Sequence, residues 1–318
     1  MNINRADYDS PWKEIIEQFF PDFIAFFFAH IAADIDWTRG YEFLDKELQK
    51  VVRDSQTGRK RVDKLVKVWR KNGEEAWIAI HIEVQGQHDQ HFPQRMFQYH
   101  TLLYNHYKRT IVSLVILSDD LADWRPDNFG YELWGCKIQL DFPAVKLLDY
   151  QERWDEIEQD NNPFAIVVMT HLQAQATTPV SARRQDAKFR LARRLYEREY
   201  TRHQILELFR FIDWLMTLSP ELETGFQTAI TEYEEEQTMQ YVTAIERKGI
   251  ERGIERGIEQ GIEQSTREDI IEVLRLRFQE IPAELRTQLD EINNTGQLKK
   301  LLKWAVIEPS LAAFAVHL

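Results

Sequence analysis

The sequence predicts an α+β protein, with a mixed sheet flanked by helices and a helical C-terminal region. Three features predict it. Trp77 to Gln85 alternates at the two-residue period of a strand and is joined to Val62–Trp69 through Lys71-Asn72-Gly73-Glu74, a strong hairpin signal. Ile111-Val-Ser-Leu-Val-Ile-Leu117 is a continuous apolar run of the kind that forms a buried strand. From Phe164 onward the pattern turns helical.

Taken in order, Ser10-Pro11 begins a helix, with Ser as N-cap and Pro at the first helical position, and Trp12, Ile15, Ile16 and Phe19 follow at helical spacing. A second helix is expected from Pro21, with Phe23, Phe26, Phe27, His30 and Ile31 on one face. Leu48 to Val52 reads as a strand and Asp54 to Gly58 as a turn. After the hairpin come a helix from Pro93 to Lys108 and the Ile111–Leu117 strand. Further strand material lies around Tyr131–Leu140 and Val145–Leu148. Helices are expected over 164–175, 182–200 and 202–217. Four segments follow from this: a sheet-bearing domain over 1–175, a helical region over 176–245, a four-residue repeat over 246–266, and a small helical module over 267–318. Ile271, Leu274 and Phe278, then Leu285, Leu289 and Ile292, then Leu298, Leu301, Leu302 and Ala305 are that module's apolar stripes. Within the repeat, Gly249, Gly253, Gly257 and Gly261 would cost a helix roughly 3–4 kcal/mol relative to alanine, so it reads as a linker. The alternative is close helix–helix packing through the glycine stripe, and a homo-oligomer is expected.

A chain of 318 residues accommodates one large domain with appendages or two modest ones. The single cysteine, Cys136, excludes an internal disulfide framework and any Cys-based zinc site. The first residues lack a signal-peptide apolar run, and Phe19 to Ala33 is too short to span a bilayer and contains Pro21 and Asp22. A cytoplasmic protein without a membrane span is expected. The net charge of −12 is unlike that of a generic nucleic-acid binder, but the basic residues are clustered. Seven lie between Arg59 and Lys71 against one acid, Asp63, and nine between Arg183 and Arg210 against four acids. Solvated helix and strand faces are the plainer account of both runs.

In the Trp77–Gln85 strand, Ile78, Ile80, Ile82 and Val84 point one way, and Ala79, His81, Glu83 and Gln85 the other. A turn centred on Gly73 makes cross-strand partners sum to 146, which sets Asp63 opposite Glu83 with Cβ atoms about 5 Å apart. Two such carboxylates repel unless a cation joins them, and Mg²⁺ bound by carboxylates, waters and phosphate suits that need. The alternative is an exposed polar sheet face with one unfavourable acidic pair. Arg95, Gln98 and Tyr99 share a face of the following helix; Arg95 either holds a phosphate bidentately or neutralises Glu83. His81, His88 and His91 are more simply strand and loop residues than metal ligands.

Helix, strand, strand with Asp, strand with Glu-x-Gln, then helix resembles the PD-(D/E)XK, restriction-endonuclease-like fold. More narrowly, the chain is similar to the bacterial recombination-promoting nuclease/putative transposase family over residues 7–175, through Asp9-Ser-Pro-Trp-Lys13, Val62-Asp63-Lys64-Leu65, Ile82-Glu83-Val84-Gln85 and Arg95-Met-Phe-Gln-Tyr99. The resemblance implies metal-dependent endonucleolytic cleavage of DNA, linked to recombination or mobile elements, with in-line attack of water on a phosphodiester. It places Asp63 and Glu83 as ligands of Mg²⁺ or another divalent cation. Gln85 stands where the family's usual lysine does, as a water-orienting group without charge, and Arg95 is the remaining cation. Either Glu14 or Glu17 corresponds to an accessory acid of some relatives, and Gln98 and Tyr99 support the site. A degenerate nuclease fold serving as a nucleic-acid or protein interaction module is the alternative function, and RNA as substrate would use the same chemistry.

Overall fold

In the computed structural model, which describes residues 9–44, 64–83, 90–236, 244–278, 281–290, 292 and 294–318, the chain divides into two compact units, Met1–Val242 and Thr243–Leu318. The first unit opens with α1 (Asp9–Gln18), α2 (Phe20–Phe27) and α3 (Ala29–Asp34). Trp12, Ile16, Phe20, Phe23 and Ile24 are fully buried along them. The single second helix expected from Pro21 is broken at Phe28, whose backbone leaves the helical region (φ −136°, ψ 55°), so His30 and Ile31 belong to a separate helix.

The sheet follows, with β1 (Glu42–Phe43), β2 (Lys64–Trp69), β3 (Glu75–Glu83), the crossover helix α4 (Phe92–Tyr107) and β4 (Ile111–Leu117). A separate hairpin, β5 (Asn128–Leu133) and β6 (Cys136–Asp141), precedes β7 (Ala144–Lys146). The five-stranded order is β1-β2-β3-β4-β7. β1, β2 and β3 pair antiparallel, whereas β3–β4 and β4–β7 are parallel, so the sheet is mixed. The expected strand Leu48–Val52 and turn Asp54–Gly58 lie outside the described residues.

The β2–β3 turn has a three-residue loop. Gly73 N donates to Arg70 O at 2.8 Å, Arg70 N donates to Glu74 O at 2.8 Å, and Gly73 takes φ +90°. This is a type I turn closed by a residue of positive φ, a form that needs glycine at its last position. At the tip of β5–β6, Trp134 (φ 52°) and Gly135 (φ 82°) make a two-residue turn of the mirror-image kind, and the Trp134 side chain is 96% exposed.

Helices α5 (Trp154–Gln159), α6 (Pro163–Ala176), α7 (Ala182–Glu197), α8 (Arg202–Leu215) and α9 (Pro220–Glu236) complete this unit. Asn162 caps α6 by accepting from Phe164 N. Phe164 to Met169 are wholly buried, so α6 is apolar on all sides and runs inside the unit. A capping box of Thr201 and Gln204 starts α8. The buried Lys188 ammonium ties α7 to both neighbours, reaching Asp213 at 2.5 Å and Glu223 at 2.9 Å.

The second unit comprises α10 (Ala244–Phe278), α11 (Ala283–Asp290), α12 (Thr295–Ile307) and α13 (Leu311–Ala315). The four-residue repeat lies within α10 and is helical. Ile270 and Leu274 join Leu285, Leu289, Leu298 and Leu301 in one core, close to the stripes expected from the sequence. Arg277 donates to Ala305 O at 2.7 Å, holding the end of α10 against α12. No described helix is long and apolar enough to cross a membrane.

Two outcomes follow for stability. His171 on α6 is completely enclosed. Trp12 Nε1 donates to its Nδ1 at 3.3 Å, which leaves the proton on Nε2 to donate to Ser118 O at 2.9 Å. Burial pulls its pKa down from 6.5 to about 4. The folded protein therefore holds this ring neutral while the unfolded chain takes up a proton below pH 6.5. Its contribution is complete above that pH and is lost, to the extent of roughly 3 kcal/mol, as pH falls toward 4. Chemical denaturation across pH 4–7 is expected to show a steeper fall for the parent than for His171→Gln; equal slopes refute the assignment. Separately, a fragment of residues 1–242 is expected to keep a cooperative thermal transition, because that unit has its own core. An unfolded fragment would refute its independence.

Candidate functional site

β3 occupies the middle of the sheet and carries Glu83 as its last residue. All six β2–β3 pairs, from Lys64↔Ile80 to Trp69↔Glu75, sum to 144. The direct Asp63–Glu83 pairing, which needs a sum of 146, is therefore not the register of this hairpin. The cause is the loop, which is centred on Asn72 rather than Gly73. Asp63 and Gln85 lie outside the described residues, as does the Glu83 side chain.

Nor is either row of β3 a solvated face up to Ile82. Ile78, Ile80 and Ile82 are buried, but so are Trp77, Ala79 and His81, the last at 2% exposure. Helix α4 covers the second row. Tyr107 meets Trp77 with ring centroids 4.8 Å apart, and Tyr99 meets His81 at 6.1 Å. Progress from Tyr99 to Tyr107 runs from His81 back to Trp77, so α4 is antiparallel to β3. Arg95, one turn before Tyr99, stands at the level of the strand's end. Its half-buried guanidinium lies 5.5 Å over the Phe92 ring.

Arg95, Gln98 and Tyr99 do not form one polar surface. Tyr99 belongs to the core with Leu65, Ala79 and Leu103, while Gln98 is exposed. On α1, Glu17 accepts from Lys64 at 2.8 Å, and Glu14 pairs with Arg210 at 3.0 Å. Burial holds the Glu14 carboxyl above its usual range, against the pull of Arg210. Both candidate accessory acids are thus engaged with cations.

An unexpected pair stands at the same end of the sheet. Glu83 is registered with Leu117 and Leu117 with Lys146, which places Lys146 two strands away, about 10 Å. The Lys146 ammonium is buried against the Asp119 carboxylate and lies 3.3 Å from Trp124 O. Asp119 Oδ1 also accepts from Leu121 N at 2.9 Å, and Oδ2 has no hydrogen-bond partner among the described residues. Sequence reasoning missed this pair. The visible signals were an acid two residues after the apolar β4 run and a lysine inside Ala144–Leu148. Lys146 is thus held by Asp119 inside the unit.

The described members of the basic runs are largely engaged as well. Lys67 pairs with Glu42, and Arg70 with Asp34 at 2.6 Å and Glu74 at 2.9 Å. Arg184 donates to Ala174 O and Thr177 O, and Arg198 to Asp160 O and Glu158 O. Among the described residues no group of three or more His, Cys, Asp or Glu could hold a metal ion. Comparison of the chain with models of known families, with curated proteins and with solved structures gives no match.

The Lys146–Asp119 pair gives a sharp outcome. Lys146→Ala strands a buried carboxylate and is expected to cost about 3–5 kcal/mol in urea unfolding. The double change Lys146→Met with Asp119→Leu should recover most of it. A single-variant loss below about 1 kcal/mol, typical of exposed pairs, would show that the pair is hydrated.

Proposed function

We propose that the chain is a divalent-cation-dependent endonuclease acting on DNA, with its site at the end of β3. The observation that carries this reading is the order of elements around Glu83. An antiparallel β2–β3 hairpin is followed by the crossover helix α4 and the parallel strand β4, with Glu83 closing β3 and Arg95 on the helix at that level. This order agrees with what the resemblance to restriction-endonuclease-like nucleases implies.

Asp63 and Glu83 offer hard oxygen donors, the donor type that Mg²⁺ prefers. When bound, the cation supplies charge stabilisation at the phosphate and a more acidic water. Gln85 orients the attacking water by accepting or donating a hydrogen bond, without acting as a base. Arg95 offers N–H groups to a phosphate oxygen, where charge develops. A second reading, an interaction module built on the same fold, draws on two observations: Gln85 in place of lysine, and the engagement of many basic residues by internal partners.

Supercoiled plasmid distinguishes them. The parent is expected to nick with Mg²⁺ or Mn²⁺ and to stop on chelation. Asp63→Ala and Glu83→Ala should fall to background at unchanged melting temperature. Gln85→Ala should lose roughly 10²-fold in single-turnover rate and Gln85→Lys should match or exceed the parent. Arg95→Ala should lose more than Gln85→Ala at matched salt. Cleavage at the parental rate by the Asp63 or Glu83 variant removes this site, and an inert parent leaves the interaction module.

A further inference from the structure

Away from the sheet, α5, α6 and α7 border two adjoining open clefts of about 180 and 370 Å³, which share Gln173 and Arg190. The smaller has apolar walls from Trp154, Met169 and Leu191. The larger is polar and carries Arg183, Asp186 and Arg190. The larger alone reaches the size usual for a small organic-ligand site, roughly 300–1,000 Å³, and an apolar wall with a few convergent polar groups is the usual lining of one.

The arginines of α7 sort themselves by position. Arg184 is buried on backbone carbonyls, Arg193 pairs with Glu197 at 2.9 Å, and Arg194 pairs with Glu158. Arg183 and Arg190 have no ion pair or hydrogen bond from their guanidinium groups among the described residues, and both line the polar cavity. They stand seven residues apart, two helical turns or about 10 Å, on one face of α7, with Asp186 between them. Arg183, Asp186 and Arg190 are exposed along the polar cleft, while the paired Arg194 lines the smaller one.

At the other end, Trp154 is half-buried and belongs to none of the aromatic pairs among the described residues. Its indole can take a planar ring by stacking, an interaction any heteroaromatic base can make. Arg183 and Arg190 suit a phosphate, for which the planar guanidinium fork gives paired hydrogen bonds.

We propose that this cleft binds a mononucleotide, its base against Trp154 and its phosphate between Arg183 and Arg190. The proposal does not depend on the endonuclease reading, since no described residue of that site lines either cleft.

The test is calorimetric titration of the full chain, without divalent cations, with AMP, adenosine and inorganic phosphate. AMP is expected to bind at least tenfold more tightly than adenosine or phosphate. Arg183→Ala and Arg190→Ala should each weaken AMP at least tenfold at unchanged melting temperature, and Arg193→Ala should not. Trp154→Leu should weaken AMP and adenosine alike and leave phosphate unaffected. Asp63→Ala should bind AMP as the parent does, which separates failure here from failure of the nuclease reading. The proposal is overturned if AMP gives no heat at millimolar concentration, if phosphate alone binds as well as AMP, or if both arginine variants bind AMP like the parent.

Discussion

The fold depends on one constraint: β3 and β4 are apolar on both faces, so neither face of the sheet's centre can meet water. Ile80, Leu114 and Ile116 are completely buried on one row, and Ala79 and Val115 on the other. Each row needs a cover of its own. Helix α4 supplies one through Met96, Tyr99 and Leu103, and its obligatory return between two parallel strands makes that cover local in sequence. The other cover is distant in sequence. It reaches the sheet through Glu17 of α1 on Lys64, and through His171 of α6 on the carbonyl of Ser118.

That second cover explains where the charges go. A helix layer laid over a sheet edge leaves carbonyls and long side chains to satisfy, and a buried group without a partner costs about 1–3 kcal/mol. Arg184, Arg198 and Lys188 meet that demand by donating to carbonyls and carboxylates of neighbouring helices. Several members of this basic run, Arg184, Lys188, Arg194 and Arg198, are thus clamps between neighbouring elements, whereas Arg193 pairs with Glu197 within its own helix.

Legibility followed the range of the interactions. Ile111–Leu117 was readable to the residue because a strand buried on both faces has only its own composition to obey. The hairpin was visible, but its register was not. A glycine after asparagine fits either a two-residue turn or the last place of a three-residue loop, and the choice moves every pair along the ladder. Tyr99 at a helical spacing from Arg95 looked like part of a polar face, yet the strand it meets is buried there, and burial decides its role. The pairing of Lys146 with Asp119 spans 27 residues and leaves no local period, so pattern alone could not reach it.

The same geometry bears on how a phosphodiester would be held. Counterion release makes nucleic-acid affinity scale with the number of cations that touch phosphates. In the 64–71 segment, Lys64, Lys67 and Arg70 already have carboxylate partners, and each would have to exchange Glu17, Glu42 or Asp34 for a phosphate oxygen. Exchange of one exposed ion pair for another yields little net energy, and Lys64 is moreover buried. Lys146 is still less available, because its carboxylate partner is completely buried. Arg95 and Lys146 are described cations at the level where β3 ends. Catalysis at that strand would therefore rest on few charges placed accurately rather than on a basic surface. An acidic chain of net charge −12 is compatible with that arrangement, whereas it would be a poor scaffold for broad electrostatic capture of a duplex.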